Sequence, residues 1–422
     1  MSLDRLKADV LHKLRVGLFG GISRPHLSLK GHNQIPQDSC QAPWEPAPWK
    51  HDLLLLRYMT AAPCHMTLPT LSDLDALRRV GDPLADAVVA SLSNIGRPIR
   101  FEEVQRAAAQ GDAACERFVQ VTATPPDWVR WSRIERGRRL FVRTHVLSSA
   151  ALLLGGMIES YTNPHIAEVL TYSGRLVESS RRRIMETGQM VYDTHLPDGL
   201  RPGAQGWRTL LQIRLLHGHI RFHLSKRRGS NADAPINQED SAYTHLMFDV
   251  GVAEGLCKLG VTWSAEERQL HHEFWRLAGW FLGVDPVLLP ASEREAVDLR
   301  SRIRGRHFAV DANAIELTQA LLEGVELEPP FFLPKTTLFA LTRRLQGRPI
   351  SNALQIPQSR IHRLLVRSIR RPLSGFGWLL REVQPLEKLS HEVGQRYGQW
   401  IIARGLEGRP ATFETRGNDG RP

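Results

Sequence analysis

The stretch RLLHGHIRFH, residues 214–223, decides how this 422-residue chain folds. It lies inside residues 205–226, a segment that contains no proline and is rich in leucine and arginine. That length and composition predict a helix rather than a strand. At about 100° per residue, the helix places Arg214, His217 and Arg221 on one stripe of its surface. His219 and His223 fall on a different face, so the histidines do not converge on a single ion.

The stripe combines two cations with an imidazole on an otherwise apolar helix. The cations are costly to bury without an anionic partner. A bound group with carboxylates and an open metal coordination position would meet both needs, and haem is such a group. A core histidine bonded to a backbone carbonyl, with Arg214 and Arg221 reaching out to solvent, would explain the same spacing. A strand would instead place His217, His219 and His223 on one face and indicate a zinc site.

The composition is that of a folded protein, with 42% hydrophobic and 23% charged residues, and the length allows two domains. The net charge of +11 comes largely from arginine, with dense patches at residues 130–143 and 343–371. Such a balance is typical of proteins that bind nucleic acid or an anionic membrane. No nucleic-acid-binding motif accompanies these patches, so we expect no nucleic acid partner. Peripheral contact between the basic helices and a membrane stays open.

The cysteines exclude several cofactors. Cys40, Cys64, Cys115 and Cys257 form no CxxC pair and no CxxCH motif, so neither a zinc or iron–sulfur site nor covalently attached haem is indicated. They are typical of free thiols in a reducing compartment. The first residues lack the continuous apolar core of a signal peptide, and the longest apolar run, residues 146–158, is shorter than the ~18 residues that span a membrane. These observations predict a cytoplasmic protein without an integral membrane segment.

Helical periodicity continues along most of the chain, and no strand alternation interrupts it. Asp82-Pro83 predicts one helix start, because proline is favoured at the first helical position. Residues 264–267, Ser-Ala-Glu-Glu, form a capping box that predicts another. The predicted fold class is therefore all-α.

The landmarks of these helices resemble one family. In chain order they are GDPLADAVV, WVRWSRIERGRRLFVR, AEVLTYSGRL, RRRIMETG, RLLHGHIR and PINQEDSAYT, and they extend over roughly residues 70–330. Together they resemble the DUF2236 family, which includes the bacterial latex-clearing rubber oxygenases and the fungal oxygenase of mycophenolic acid biosynthesis. The resemblance implies a globin-like helical core that holds b-type haem and uses O2 to cleave carbon–carbon double bonds in isoprenoid chains.

The resemblance implies roles on the proximal side of such a haem. His217 matches the iron ligand in the family's R-x-x-H-x-x-x-R helix, and Arg214 and Arg221 match the arginines beside it. We expect at least one of these arginines to contact a haem propionate or to hold an acid beside the haem. Thr244 resembles the threonine that follows the family's QED-like turn, which suggests a further cofactor-binding residue.

On the distal side, Arg183, Glu186 and Thr187 match the R-x-x-K-T motif of the latex-clearing enzymes, which implies catalytic roles for them. The lysine of that motif is Glu186 here. Ionised glutamate only accepts hydrogen bonds, whereas a buried one with a raised pKa could act as an acid or base. A local surface pair between Arg183 and Glu186, without catalytic function, is the alternative.

The sequence therefore predicts a haem b-dependent oxygenase, with O2 as co-substrate, that acts on an apolar unsaturated, isoprenoid-like small molecule, with oxidative C=C cleavage as the reaction. The predicted organisation is an N-terminal arm over residues 1–69, the haem-binding domain over residues 70–330, and a basic helical extension over residues 331–422 that packs on the core. An electron donor is a further partner to look for. The alternatives are a haem protein with a peroxidase-like or sensing role, and a haem-free basic helical protein that binds anionic lipid or nucleic acid.

Overall fold

The structure is a computed structural model, and it describes residues 68–95, 97–172, 180–228, 233–368, 370–408 and 411. Within these ranges the chain is helical and contains no β-strand, apart from an isolated bridge between Glu326 and Leu333. The prediction of an all-α fold is confirmed. The predicted N-terminal arm falls almost wholly outside the described residues. The predicted domain boundaries near residues 70 and 330 stay predictions.

The helices and their bounds are α1 Leu71–Leu77, α2 Pro83–Ser91, α3 Phe101–Ala109, α4 Ala113–Ala123, α5 Trp131–Arg143, α6 His145–Ser160, α7 Pro164–Tyr172, α8 Ser180–Thr194, α9 Gln205–Arg228, α10 Gln238–Phe248, α11 Val250–Leu259, α12 Ala265–Phe281, α13 Glu293–His307, α14 Ala312–Gly324, α15 Lys335–Gln346, α16 Arg348–Ala353, α17 Arg360–Ser368, α18 Arg370–Glu382 and α19 Gln384–Gly405. The helix predicted over residues 205–226 is thus present as α9. It packs against α2, α8 and α12, while α19 packs across α5 and α8.

Both predicted helix starts are present. The Asp82 carboxylate accepts the Ala85 N–H at 3.3 Å, with Pro83 at the first position of α2. Ser264 Oγ accepts the Glu267 N–H at 3.1 Å, and Glu267 accepts the Ser264 N–H at 2.7 Å. Caps of this kind contribute about 1 kcal/mol each. They determine where α2 and α12 begin, and both of these helices contact α9.

Two glycines allow the central helices to approach closely. A Cβ atom at Gly137 of α5 would lie 2.1 Å from the Leu270 carbonyl oxygen of α12. A Cβ atom at Gly218 of α9 would lie 3.2 Å from Val89 Cγ2 of α2. Glycine within a helix costs about 0.5–1 kcal/mol relative to alanine. Here the tight packing of α5 on α12 and of α9 on α2 compensates for that cost.

The helix α6 is apolar and irregular. Its residues Ala151–Met157 are π-helical, an arrangement that is frequent at functional sites. Among the described helices, no single one is long and apolar enough to cross a membrane. The pair α5 and α6, which is bent by 85°, has the length and composition of a membrane span only when the two helices are taken together. The last turn of α6 carries Met157 and Ser160 to the wall of an internal cavity.

Candidate active site

A cavity of about 240 Å³ lies among α6, α7, α8, α9, α10 and α12. Its walls are mostly apolar, and they include Ile166, Val169, Met190, Ile213, Leu216 and Phe248. Five of the predicted site residues line this cavity together: Arg183, Glu186, Thr187, His217 and Thr244. Apolar walls with a few convergent polar groups are the usual make-up of a small-molecule site. Arg214 and Arg221 are not among the lining residues.

His217 presents a neutral imidazole to the cavity. Burial, followed by the positive charges of Arg221 and Arg183, lowers the pKa of His217 to about 4. Among the described residues neither ring nitrogen has a hydrogen-bond partner, so the predicted alternative of a carbonyl-bonded core histidine does not hold. The ring is therefore neutral at pH 7 and has a lone pair available, which is the state that coordinates a metal.

The zinc alternative is wrong, because the segment is a helix. His219 and His223 contact each other edge to face, with ring centroids 4.4 Å apart, and neither lines the cavity that His217 lines. Within the described ranges, no group of three or more His, Cys, Asp or Glu side chains is arranged to hold a metal ion.

Arg214 and Arg221 point towards α2 instead of the cavity. The Arg214 Nε donates to Asp82 Oδ2 at 2.5 Å and its Nη2 donates to Asp82 Oδ1 at 2.8 Å, with the arginine only 1% exposed. Arg221 Nε lies 2.8 Å from Asp86 Oδ1, and its Nη1 donates to the Ile236 carbonyl at 2.9 Å. Neither guanidinium lines the cavity, and the predicted cofactor-binding role of the two arginines stays a prediction. The anionic partner that a buried guanidinium requires is supplied by the protein itself.

This arrangement also contradicts the alternative in which both arginines reach solvent. Each arginine holds an acid, Asp82 or Asp86, and the expectation that at least one such acid lies beside a haem stays a prediction. Burial raises the pKa of Asp86 above its ordinary value, although the charge and hydrogen bond of Arg221 oppose that shift. The two ion pairs join α9 to α2 at positions one turn on either side of His217, so they hold the helix that carries the imidazole.

Glu186 lies at the cavity wall and is 6% exposed. Its partner is Arg182, whose Nε lies 3.1 Å from Glu186 Oε1, and not Arg183, the partner in the surface-pair alternative. In a helix both neighbours are within one turn, but the i, i+4 pair forms and leaves Arg183 turned to the cavity. The alternative of an exposed Arg183–Glu186 pair is therefore wrong.

The Arg183 guanidinium makes no hydrogen bond or ion pair within the part of the chain that the structure describes. A cation in that position favours an anionic group on a ligand. Thr187 Oγ1 donates to the Arg183 carbonyl at 3.1 Å, so its oxygen is left to accept a hydrogen bond. Glu186, Arg183 and Thr187 thus form a polar strip on one wall of an apolar cavity.

The QED-like turn forms a buried clasp at the start of α10. Gln238 donates to the carbonyls of Gly81 at 2.7 Å and Gly283 at 2.9 Å. Asp240 accepts from Asn163 at 2.8 Å and from Asn237 at 2.6 Å. By joining α10 to three other segments, the clasp determines the rotation of the helix that places Thr244 at the cavity.

His245 is a cavity residue that sequence reasoning missed. It is 4% exposed, burial lowers its pKa to about 4, and neither ring nitrogen has a hydrogen-bond partner among the described residues. Its ring lies 6.0 Å from that of Trp275, which also lines the cavity. The only signal in the sequence was its position next to Thr244, because a lone histidine in an apolar helix is usually a core residue.

The comparisons with known proteins agree with the all-α fold of the chain. The chain belongs to the oxygenase family described as "ER-bound oxygenase mpaB/B'/Rubber oxygenase, catalytic domain", whose profile matches residues 138–381, more than half of its length. The fold is similar to that of a solved protein described as "Structure of Latex Clearing Protein LCP in the closed state". The TM-score is 0.61 at 19% identity, over 76% of this chain and 91% of that one. No curated protein matches the chain. The predicted family is confirmed.

Proposed function

We propose that this protein is a haem b-dependent oxygenase that uses O2 to oxidise an apolar unsaturated small molecule of the isoprenoid type, by cleavage of a C=C bond. The observation that carries the proposal is His217, a neutral imidazole without a hydrogen-bond partner among the described residues, in the wall of an apolar cavity. Membership of an oxygenase family supports the reaction class.

The residues present fit b-type haem. His217 offers a nitrogen to the iron, the aliphatic walls fit the faces of a macrocycle, and Arg183 is a cation without a protein partner among the described residues. The propionates of haem are carboxylates, and a buried carboxylate needs such a cation or several hydrogen bonds. When bound, haem would supply the iron at which dioxygen is activated.

The chain's own groups would prepare the reaction. Ile166, Val169 and Met190 bind a hydrocarbon by burying its surface and exclude water from the cavity. Arg182 orients the Glu186 carboxylate, whose Oε2 would hold or accept a proton beside the substrate. Thr244 has no hydrogen-bond partner for its hydroxyl among the described residues, so that hydroxyl can donate to a polar atom of the ligand.

Expression with a haem precursor tests the proposal. We expect a Soret band at one equivalent of haem, and O2 consumption coupled to carbonyl products from an oligo-isoprene probe. Haem loading with turnover of peroxide but not of the hydrocarbon would assign the peroxidase-like role instead. A protein without any Soret band would refute haem dependence and leave the haem-free alternative.

The role of Glu186 gives a separate prediction. Glu186→Gln keeps the size of the side chain and most of its hydrogen bonding but replaces the carboxylate with an amide that cannot take up a proton. We expect unchanged haem content, an altered ferric spectrum, and turnover reduced by about 10²–10⁴, the usual contribution of a general acid or base. Glu316→Gln is the matched control, because Glu316 is exposed on α14. Identical spectra and turnover in both variants would leave Glu186 only a structural role.

A further inference from the structure

An open cleft of about 610 Å³ lies between α15, α16 and α17, remote in sequence from the residues of the active-site cavity. Six arginines line it: Arg343, Arg344, Arg348, Arg363, Arg367 and Arg370. No aspartate or glutamate is among the described residues that line the cleft. We call it the arginine cleft.

No aspartate or glutamate of the described residues pairs with the arginines of the cleft. Arg343 donates to the Ile356 carbonyl at 2.7 Å and to Asn352 Oδ1 at 2.6 Å, and Arg344 donates to the Lys258 carbonyl at 2.9 Å. These partners orient the guanidinium groups without adding a negative charge. The pKa of Arg343 lies below its ordinary value, because burial and then the charges of nearby arginines disfavour its protonation. With no acidic partner among the described residues, a cluster of this kind favours an external anion.

The helix α17 borders the cleft and presents an exposed apolar stripe. Val366 is 5% exposed and packs against the protein, whereas Ile361 is 77%, Leu364 61% and Leu365 51% exposed. At about 100° per residue, Leu364, Ile361 and Leu365 cover roughly 100° of the helix surface. On the cleft side of this stripe, Arg367 lies about 60° and Arg363 about 100° from Leu364 around the helix axis.

We propose that α17 and the arginine cleft together bind the surface of a membrane that contains anionic phospholipids. The arginines bind headgroup phosphates, and Ile361, Leu364 and Leu365 enter the boundary of the acyl chains. A helix with a cationic face beside an aliphatic face is the form that lies in a membrane interface. Each arginine close to an anionic surface contributes about 1 kcal/mol, or roughly fivefold in partitioning.

The apolar stripe favours a membrane over a soluble polyanion. A nucleic acid would bind the arginines through its phosphates but would leave three aliphatic side chains in water. Single-stranded nucleic acids are usually held by aromatic side chains that stack on the bases, and the exposed apolar residues of α17 are aliphatic. An anionic membrane can contact the arginines with its phosphates and the aliphatic side chains with its acyl chains.

Flotation of the full-length protein with lipid vesicles tests this proposal. We expect binding to phosphatidylcholine vesicles that contain phosphatidylglycerol, weaker binding as NaCl is raised, and no binding to pure phosphatidylcholine. The double charge reversal Arg363→Glu/Arg367→Glu should lower partitioning at least about tenfold. Leu364→Ser/Leu365→Ser should lower it by a similar factor without changing the net charge.

The matched control is Arg79→Glu/Arg294→Glu, which changes the net charge equally at two exposed arginines outside the cleft. It should bind anionic vesicles nearly as well as the unaltered protein. Thermal unfolding followed by circular dichroism verifies that every variant folds. A control that loses binding as fully as the cleft variant would overturn the proposal in favour of a non-specific charge effect. The proposal would also be overturned, in favour of a soluble polyanion, by a second result. In that result the protein binds polyphosphate or DNA, and the leucine substitutions do not change its binding to vesicles.

Discussion

Replacing His217 with alanine is expected to abolish retention of haem b and, with it, all oxygenase activity. Removing an outer-shell partner of a ligand typically costs 10- to 100-fold in metal affinity, and loss of the ligand itself should exceed that. The variant is expected to fold, because the lost ring faces a cavity and makes no hydrogen bond with the described residues. The measurement is the Soret absorbance per protein after expression with a haem precursor.

Controls on the same helix make this result specific. His219→Ala and His223→Ala remove imidazoles that contact each other edge to face and do not line the cavity, so haem loading should be nearly unchanged. Imidazole added to His217→Ala should restore part of the Soret band by occupying the vacated position. If His245→Ala loses haem while His217→Ala is fully loaded, the assignment of the ligand is wrong.

The low pKa of His217 adds a dependence on pH. In a histidine with the ordinary pKa of 6.5, protons would already compete with iron for the ring nitrogen at pH 6. With its pKa lowered to about 4, the imidazole of the folded protein stays neutral until the pH approaches that value. Haem affinity should therefore be constant between about pH 8 and pH 6 and decrease only in more acidic solution. A decrease centred near pH 6.5 would show that His217 is more hydrated than the structure indicates.

The local features of the site could be predicted from the sequence, because they depend on one helix at a time. The period of α9 separates His217 from His219 and His223 whatever the rest of the chain does. On α8, Arg183, Thr187 and Glu186 reach the cavity because they follow a single helical face. Caps such as Asp82 depend on residues three positions apart, and they too were predicted.

The partners across the fold could not be predicted, because they depend on long-range packing. Arg214 and Asp82 are 132 positions apart, and nothing in the sequence marks α2 as the neighbour of α9. The choice between Arg182 and Arg183 as the partner of Glu186 is decided by which of the two faces the cavity. His245 was missed because its orientation depends on the clasp around Gln238 and Asp240, which joins segments far apart in sequence.

The buried pair of Arg214 and Asp82 leads to the second large effect, this one on stability. Arg214→Met keeps most of the apolar volume but leaves the Asp82 carboxylate, 5% exposed, without its cation. Breaking such a pair by removing one partner typically costs about 3–5 kcal/mol. We therefore expect a decrease of that size in the free energy of unfolding, measured by urea denaturation, although Arg214 lies outside the cavity wall.

A second substitution separates the charge effect from lost packing. Asp82→Asn retains a good N-cap for α2 but removes the negative charge, so Arg214→Met/Asp82→Asn should recover part of the stability that Arg214→Met loses. Arg208→Met is the matched control on α9, because Arg208 is exposed, and it should change the free energy of unfolding by no more than about 0.5 kcal/mol. A direct contact of Arg214 with haem predicts a different pattern, in which Arg214→Met lowers haem affinity while the stability of the haem-free protein is unchanged. That pattern would restore Arg214 as a cofactor-binding residue. If Arg214→Met instead destabilises the haem-free protein, and Asp82→Asn recovers part of that loss, Arg214 supports the position of α9.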